Sequence, residues 1–352
     1  MTMHLNRSRR SMLFATLGLG TSAILPRRLL AQGRSLVAAT FPGTWSEAHR
    51  AILAPAFKQR TGATVTQSIL LAQDQVARLT AAKGGKPPFD VAMFDEPQVP
   101  DAIKAGILAP YPAAKSANFA DLLPPFQGQW GPTVSMQVIG IGYNPKRIKT
   151  PPTSWDELWD PKYKGRVGLT ALNSQLGIAF LAELNRLRGG SADNFDPAFK
   201  AIRELMPNVG AVAADLGAFA TLWQQEQIDI APYNFNFVQT LKSKGVPVEL
   251  AIPSTGAAGW KTSLHLVANA VEPDLAVQYI DTHLDPAVQA AMLKSPYDVI
   301  PTNRKVALEG PVTLAIAKTQ DDLGKIRGFD WAAINPRRSE LIARFNREIQ
   351  QT

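Results

Sequence analysis

Residues 36–65 read LVAATFPGTWSEAHRAILAPAFKQRTGATV, and this stretch decides the fold. The apolar run at 36–40 predicts a strand, and a proline and glycine turn follows it. Apolar side chains then recur at helical spacing over 46–61, where a glycine ends the predicted helix. A second apolar run at 63–70 predicts another strand. Strand, helix and strand in this order indicate a parallel pair joined by a crossover helix.

The same alternation continues along the rest of the chain. Further strands are predicted at 89–94, 137–143, 166–170, 210–214, 228–234 and 260–267. Further helices are predicted at 73–83, 97–105, 274–284, 286–293 and 337–350, with a tryptophan-rich helix beginning at 154. One more helix is predicted after each of the strands at 166–170 and 210–214. Such α/β sheets carry helices on both faces and bind ligands at the carboxyl ends of their strands. No repeat or low-complexity linker interrupts the pattern, which favours lobes joined by two or three crossing strands.

The first 31 residues form a different kind of sequence and are predicted to be an export signal. A basic start leads into an uncharged, moderately apolar stretch at 11–25. That stretch is shorter than the roughly 20 residues that span a bilayer, so a membrane anchor is the weaker alternative. The order SRRSMLF at 8–14 resembles a twin-arginine export signal, and a general secretory signal is the alternative. Cleavage is expected near Ala31.

Composition narrows the function further. The 352 residues include no cysteine, which excludes disulfides, thiolate metal sites and a cysteine nucleophile. The formal net charge of +8 comes from 37 basic and 29 acidic side chains. Loss of residues 1–31 removes five arginines and no acid, so 32 basic and 29 acidic groups remain, a net charge of +3. That balance is ordinary for a protein surface, and nucleic-acid binding is not expected.

Templates of catalysis and cofactor binding are missing from the sequence. It contains no G-x-S-x-G elbow, no H-E-x-x-H helix and no complete P-loop. His49, His265 and His283 are isolated from one another along the chain and are interpreted as surface or packing residues. Among the paired acids, Asp95 and Glu96 stand at a predicted strand end and are the only pair that resembles part of a site. The protein is therefore not expected to be an enzyme, nor to hold a metal or a cofactor.

Aromatic and polar side chains at strand ends and turns are the remaining candidates for a site. Aromatic faces give a large contact area at little cost in rotamer entropy, and polar neighbours fix the orientation of a small ligand. Core packing is the alternative for each aromatic residue. The predicted ligand-binding residues are Thr44, Trp45, Phe94, Asp95, Glu96, Asn173, Ser174, Gln175, Tyr233, Asn234, Trp260, Thr262 and Tyr297.

Four phrases of the sequence resemble a known family. They are PTSWDELWDPKYKGRV at 152–167, GIGYN at 140–144, FPGTW at 41–45 and YDVIPTN at 297–303. Together they resemble the periplasmic solute-binding proteins of ABC transporters, in the group that includes spermidine/putrescine and ferric-iron receptors. The resemblance runs from residue 36 to the end of the chain.

The resemblance implies an α/β, two-lobed type II periplasmic binding protein fold. Each lobe would be a mixed, mostly parallel sheet flanked by helices, and crossing strands would join the lobes. Lobe one would comprise 34–136 and 266–352, and lobe two 137–265. A small organic solute, polyamine-like or another small polar compound, would be caught between the lobes of a periplasmic monomer. A membrane permease with a separate ATPase would receive it.

The match to the polyamine branch is mixed when it is followed residue by residue. Trp45, Tyr233 and Trp260 stand where that branch has aromatic residues of the cleft. The acid expected two residues after the third aromatic is Thr262, and the acids expected after the strand at 166–170 are replaced by amides and a serine. A buried amine needs carboxylates to offset its desolvation, so a long polyamine is disfavoured. Iron is disfavoured as well, since no two tyrosines are adjacent.

Two other functions remain open at this point. An exported enzyme could use the same two-lobed scaffold, because a fold does not determine a function. The porphobilinogen-polymerising enzymes share such lobes, but they attach their cofactor to a cysteine and this chain has none. A chemosensory receptor that binds a solute and docks on a membrane partner is the second alternative.

Overall fold

A computed structural model describes residues 33–350 as helices and strands around one large sheet. The predicted export signal and its cleavage near Ala31 lie outside the described residues. The strands are β1 Ser35–Thr40, β2 Thr64–Ile69, β3 Val91–Asp95, β4 Thr133–Tyr143, β5 Val167–Thr170, β6 Val209–Ala213, β7 Ile230–Asn234, β8 Glu249–Ala251 and β9 Ala258–Leu266. The α-helices are α1 Thr44–Ala48, α2 Ala54–Thr61, α3 Ala72–Ala81, α4 Val99–Lys104, α5 Gln175–Leu187, α6 Asp196–Leu205, α7 Leu216–Gln224, α8 Phe235–Ser243, α9 Pro273–His283, α10 Pro286–Leu293, α11 Pro311–Ala315, α12 Gln320–Gly324, α13 Trp331–Ile334 and α14 Arg338–Phe345.

The order of the strands divides the sheet into two halves. The order is β2-β1-β3-β9-β4-β7-β5-β6, with β8 paired to β4. Strands β1, β2 and β3 are parallel to one another, as are β5, β6 and β7. The long strands β4 and β9 lie between these groups and run antiparallel to each other. The predicted α/β architecture with crossing strands is thereby confirmed.

The first helical stretch shows why the local pattern predicts the structure well. Helices α1 and α2 are joined by one π-helical turn, His49–Leu53, into a continuous helix. Phe57 is fully buried on its inner face. The helix ends at Gly62, which has a φ of 73° in the left-handed region that glycine adopts without a steric penalty.

Two elements differ from their predictions. Strand β4 begins four residues earlier than predicted, because residues 133–136 are buried on both faces and read as a continuous run. The tryptophan-rich helix is a short 3₁₀ helix, Trp155–Trp159, and not an α-helix. Ser154 and Glu157 cap its start, and Pro161 follows too closely for a longer helix.

The chain passes between the two halves a third time, after β4 and β9. The backbone N–H of Gly259 donates to the carbonyl of Arg327 at 2.9 Å, which fixes the point of passage. Residues 327–350, here called the C-terminal segment, then pack against the second half. Arg344 contacts Asp196 of α6 at 2.7 Å, and Arg203 of α6 contacts Glu348.

A glycine in β4 allows a close approach of strands β4 and β8. A Cβ added at Gly140 would lie 2.5 Å from the carbonyl oxygen of Ala251 in β8. We expect Gly140→Ala to lower the free energy of unfolding by about 2 kcal/mol, because backbone must move to relieve the overlap. Urea denaturation measures this loss. Gly328→Ala is the control, since nothing lies within 4 Å of its added Cβ. Equal stabilities of the two variants would contradict the prediction.

Candidate functional site

Polar side chains form a row across the middle of the sheet, where β3, β9, β4 and β7 lie side by side. The Thr262 hydroxyl donates to Oδ1 of Asp95 at 2.7 Å. The Asn234 amide donates to Oε1 of Gln137 at 2.9 Å. We call these four residues, with Ser135 opposite Thr262, the central polar row. The row joins the two halves of the sheet through their crossing strands.

Strand register explains the composition of this row. Side chains alternate between the faces of a strand, so Trp260 and Thr262 of β9 share one face. Their partners on β4 are Gln137 and Ser135, which therefore share that face with them. Ser135, Gln137, Asn234 and Thr262 are buried and Asp95 is half-buried, which is unusual for side chains of this polarity.

Several polar atoms around the row are not satisfied by the protein. The hydroxyl of Ser135 and Oδ1 of Asn234 are buried without a hydrogen-bond partner within residues 33–350. Each unpaired buried group costs about 1–3 kcal/mol. A polar molecule that bonded to them would recover this cost.

The two acids at the end of β3 differ in their environment. Burial raises the pKa of Asp95 to about 6, although hydrogen bonding from Thr262 and Trp260 opposes the rise. Glu96 accepts from the backbone N–H of Lys261 at 3.2 Å and pairs with its ammonium at 3.5 Å. The charge of Glu96 is therefore compensated inside the protein, and Asp95 is left as a weakly acidic group.

A cavity of about 230 Å³ is lined in part by Pro97 and Gln98, the two residues that follow these acids in the chain. Its walls come from α3, from the start of α4 and from the C-terminal segment. We call it the Arg338 cavity; its lining residues are Gln73, Val76, Pro97, Gln98, Asp101, Asn335 and Arg338. The Asn335 amide donates to the carbonyl of Pro97, which ties the C-terminal segment to the first half of the sheet.

Arg338 also reaches the start of α5 in the second half. Its guanidinium donates to Oε1 of Gln175 at 3.1 Å and to the carbonyl of Asn173 at 3.5 Å. Ser174, between them, accepts from the N–H of Gly177 and caps α5. Of the predicted trio, Asn173 and Gln175 thus contact Arg338 and Ser174 caps α5, while the cavity lining itself includes none of the three.

The structure brings together five of the predicted site residues at the central row. They are Asp95, Glu96, Asn234, Trp260 and Thr262. Asn173 and Gln175 lie in the second half and contact Arg338.

Phe94 and Tyr233, also predicted to bind ligand, are placed in the core. Phe94 is fully buried against His265, with ring centroids 5.3 Å apart. Tyr233 is fully buried and stacks on Trp223 at 5.9 Å. Neighbours in a strand face opposite sides of the sheet, so Asp95 in the row directs Phe94 away from it. The same alternation separates Tyr233 from Asn234.

The remaining predicted residues lie at turns and helix starts. Trp45 is buried in α1 and packs between His49 and His283, with centroids at 5.7 and 6.3 Å. Thr44 is the first residue of α1, and Tyr297 lies half-buried in the turn after α10. Their part in binding stays a prediction.

Sequence reasoning missed Ser135, Gln137, Gln98 and Arg338. The alternation of β4 could have suggested the first two, but only once its register against β9 was known. Gln98 lies in a short 3₁₀ helix, Glu96–Gln98, that follows the acids directly. Arg338 carries no local signal, because it reaches the site through contacts 163 residues away in sequence.

The described residues offer neither a metal site nor a membrane-spanning helix. No group of three or more His, Asp or Glu side chains in residues 33–350 is placed to hold a metal ion. Over the same residues, no helix has the length and apolar character needed to cross a bilayer.

Comparisons with known proteins show the family and the fold of this chain. Residues 86–316 match the family model described as bacterial extracellular solute-binding protein. The spermidine/putrescine-binding periplasmic protein of Escherichia coli is 28% identical over 263 residues, which are 69% of this chain and 72% of that protein. An ABC transporter structure from Clostridium perfringens superposes with a TM-score of 0.75 at 20% identity, covering 89% of this chain and 99% of that one. The periplasmic binding protein AfuA of Actinobacillus pleuropneumoniae, solved with fructose-6-phosphate bound, has a TM-score of 0.69 at 22% identity over 92% and 100%.

Proposed function

Because this chain belongs to the family of bacterial extracellular solute-binding proteins, we propose that it is the substrate-binding component of an ABC transporter. It acts outside the cytoplasm, binds a small polar organic solute without converting it, and delivers the solute to a membrane permease driven by a separate ATPase. We include in the proposal that it works as a periplasmic monomer, exported by a twin-arginine signal that is cleaved near Ala31.

The observation that carries the proposal is the central polar row. Ser135 and Asn234 each bury a polar atom that has no partner within residues 33–350, and a polar solute that bonded to these atoms would remove the cost of leaving them unpaired. The row lies on crossing strands, where a solute would contact both halves at once. Binding there would favour an arrangement in which the halves close on the solute.

The two lobes of this proposal follow the halves of the sheet. Lobe one comprises 34–136 and continues after β9 from 266. Lobe two comprises 137–265. The contacts of Arg344 and Arg203 support assigning the C-terminal segment to lobe two, which changes the sequence expectation that 266–352 belongs wholly to lobe one.

The charges of the row support a small polar solute in preference to a long polyamine. Each amine of a buried polyamine requires a carboxylate or a comparable set of acceptors. Glu96 is already paired with Lys261, and Asp95 is a weak acid bonded to Thr262. From the Escherichia coli relative we therefore infer for this chain only that it binds a small solute, and not that the solute is a polyamine.

Thermal melting of the protein against a panel of small solutes tests the proposal. A solute at 100 times its dissociation constant should add about 2.7 kcal/mol of stability. Nuclear magnetic resonance of the same samples should show the solute unchanged after hours. A solute that is consumed would contradict the proposal and support an exported enzyme.

A substitution in the central polar row tests whether the solute binds there. Thr262→Val removes the hydroxyl bonded to Asp95 with little change of volume, and we expect it to weaken binding about tenfold, from the loss of about 1.4 kcal/mol. Thr282→Val is the matched control, since Thr282 is also buried but donates to the carbonyl of Gln278 within α9. Equal affinities of the two variants for the solute would show that the central polar row is not part of the binding site.

A further inference from the structure

We infer that Arg338 binds an acidic group of the solute, an oxyanion of the carboxylate or phosphate type. The inference rests on the proposed function and deepens it, since it assigns the solute to the acidic organic compounds. The Arg338 cavity would hold the acidic group, and the rest of the solute would extend toward the central polar row.

The charge of Arg338 is not neutralised by the described protein. Neighbouring arginines have acidic partners: Arg337 contacts Glu340 at 3.0 Å, and Arg344 contacts Asp196 at 2.7 Å. Within residues 33–350, Arg338 forms no ion pair, and its contacts with Gln175 and Asn173 are to neutral oxygens. Burial lowers the pKa of its guanidinium, which shows that desolvation is not offset by a nearby carboxylate.

Asp101 is the acid that lines the same cavity, and it does not provide that offset. It is exposed in the first turn of α4 and makes no ion pair with Arg338. A partly desolvated cation without a counter-charge is unfavourable, and an anion that enters the cavity would compensate it. Guanidinium is suited to this task because its planar N–H groups match two oxygens of a carboxylate or phosphate.

Two amide groups beside Arg338 are also unsatisfied. Nε2 of Gln175 is buried without a partner within the described residues, and its Oε1 accepts from Arg338. The Gln175 amide is therefore held against the guanidinium by a neutral contact, which leaves the charge of Arg338 uncompensated. Oε1 of Gln98, also buried and unpartnered there, offers an acceptor for a hydroxyl or ammonium group of the same solute.

The position and size of the cavity suit a group that bridges the two halves. Gln98 of the first half and Arg338 both line it, and Arg338 contacts Gln175 at the start of α5 in the second half. A volume of about 230 Å³ is enough for a small organic acid. An anion between these residues would add attraction across the cleft that the ligand-free protein does not have.

Calorimetric titration with defined probes tests the inference. The probes are succinate and glutamate as carboxylates, glycerol 3-phosphate as a phosphate monoester, and putrescine and glycerol as the cationic and uncharged comparisons. We expect at least one acidic probe to bind and the two comparisons not to bind. The carboxylates and the phosphate monoester, compared with each other, decide which oxyanion fits.

Three variants assign the effect to the side chain. Arg338→Gln should weaken binding of the acidic probe at least tenfold, Arg338→Lys should recover part of it, and the control Arg337→Gln should leave it unchanged. Arg338→Gln also removes the contacts with Gln175 and Asn173, so the melting temperature of each ligand-free variant is measured to show that it is folded. Unchanged affinity of the folded Arg338→Gln variant for the acidic probe would overturn the assignment.

The outcomes also separate this inference from the proposed function. If putrescine or glycerol bound and no acidic probe did, the inference would be wrong and the receptor function would stand. If no probe bound and the wider panel of solutes also left the melt unchanged, the receptor function would fail together with the inference.

Discussion

Replacing Glu183 by alanine should lower the free energy of unfolding by about 3–5 kcal/mol, the cost of breaking a buried ion pair by removing one partner. The Glu183 side chain lies in α5 and is 1% exposed. It accepts from Arg327 at 2.6 and 3.0 Å and from Arg186 at 3.0 Å. Burial alone would raise the pKa of this carboxyl, but the two arginines hold it below its usual value. Alanine would leave both cations partly buried without a counter-charge.

Urea denaturation at neutral pH measures this loss. The control is Glu340→Ala, because Glu340 is mostly exposed and pairs with Arg337 at the surface. Exposed pairs contribute about 0–1 kcal/mol, so the control should differ little from the parent protein. A double variant with Arg327→Met should recover part of the loss. Losses of similar size in Glu183→Ala and the control would show that the pair does not hold the C-terminal segment in place.

The second large effect is a loss of stability as the pH falls from 7.5 to 5. Burial lowers the pKa of both His265 and His283 to about 4, against 6.5 for an unperturbed histidine. Between these values the unfolded chain binds protons that the folded protein does not, so acid favours unfolding. Linkage predicts a loss of about 2 kcal/mol for each of the two histidines at pH 5. His49 adds to the loss, because burial holds its pKa well below 6.5.

Asp95 works in the opposite direction. Its pKa is raised by burial to about 6, so the folded state binds a proton that the unfolded chain releases, and acid stabilises the fold through this group. It offsets about 1 kcal/mol of the loss at pH 5. The net effect therefore remains a destabilisation.

Urea midpoints at pH 7.5, 6.5 and 5 measure the slope. His283→Phe should flatten it, since it removes one titrating group whose ring nitrogens bond to no other described residue. Glu340→Ala should leave the slope unchanged. A parent protein with equal midpoints at pH 7.5 and 5 would contradict the neutral, buried state of these histidines.

Much of the fold was predictable because its signals are local. The strand at 36–40, the helix that ends at Gly62 and the strand that follows it all depend on periodicity and a glycine within one short stretch. Helices α6 and α8 were not predicted, and neither were strand β8 and helices α11–α13. Strand β8 and helices α11–α13 are three to five residues long, and windows of that length hold too little periodicity to be recognised.

The site was predictable only in part, because it depends on register and on contacts distant in sequence. Asp95 and Glu96 could be predicted because they are paired acids at the end of a predicted strand. Neighbouring residues of a strand face opposite sides of the sheet. Applying this alternation within β3 and β7 would have separated Phe94 from Asp95 and Tyr233 from Asn234. Gln137 needed the pairing of β4 with β9. Arg338 could not be predicted from the sequence, because it reaches the site only when its helix packs against residues that lie 163 positions earlier in the chain.

The pairing of Glu183 with Arg327 has a consequence for the order in which the protein is made. The two residues are 144 positions apart. At about 5–20 residues per second, a ribosome delivers Arg327 roughly 7–30 s after Glu183. During that interval α5 carries a carboxylate whose second arginine does not yet exist, and the surface that will receive the C-terminal segment stays open. The nascent chain thus reaches its final arrangement late, and an interruption of synthesis before residue 327 would release a chain whose second half lacks the contact that covers it.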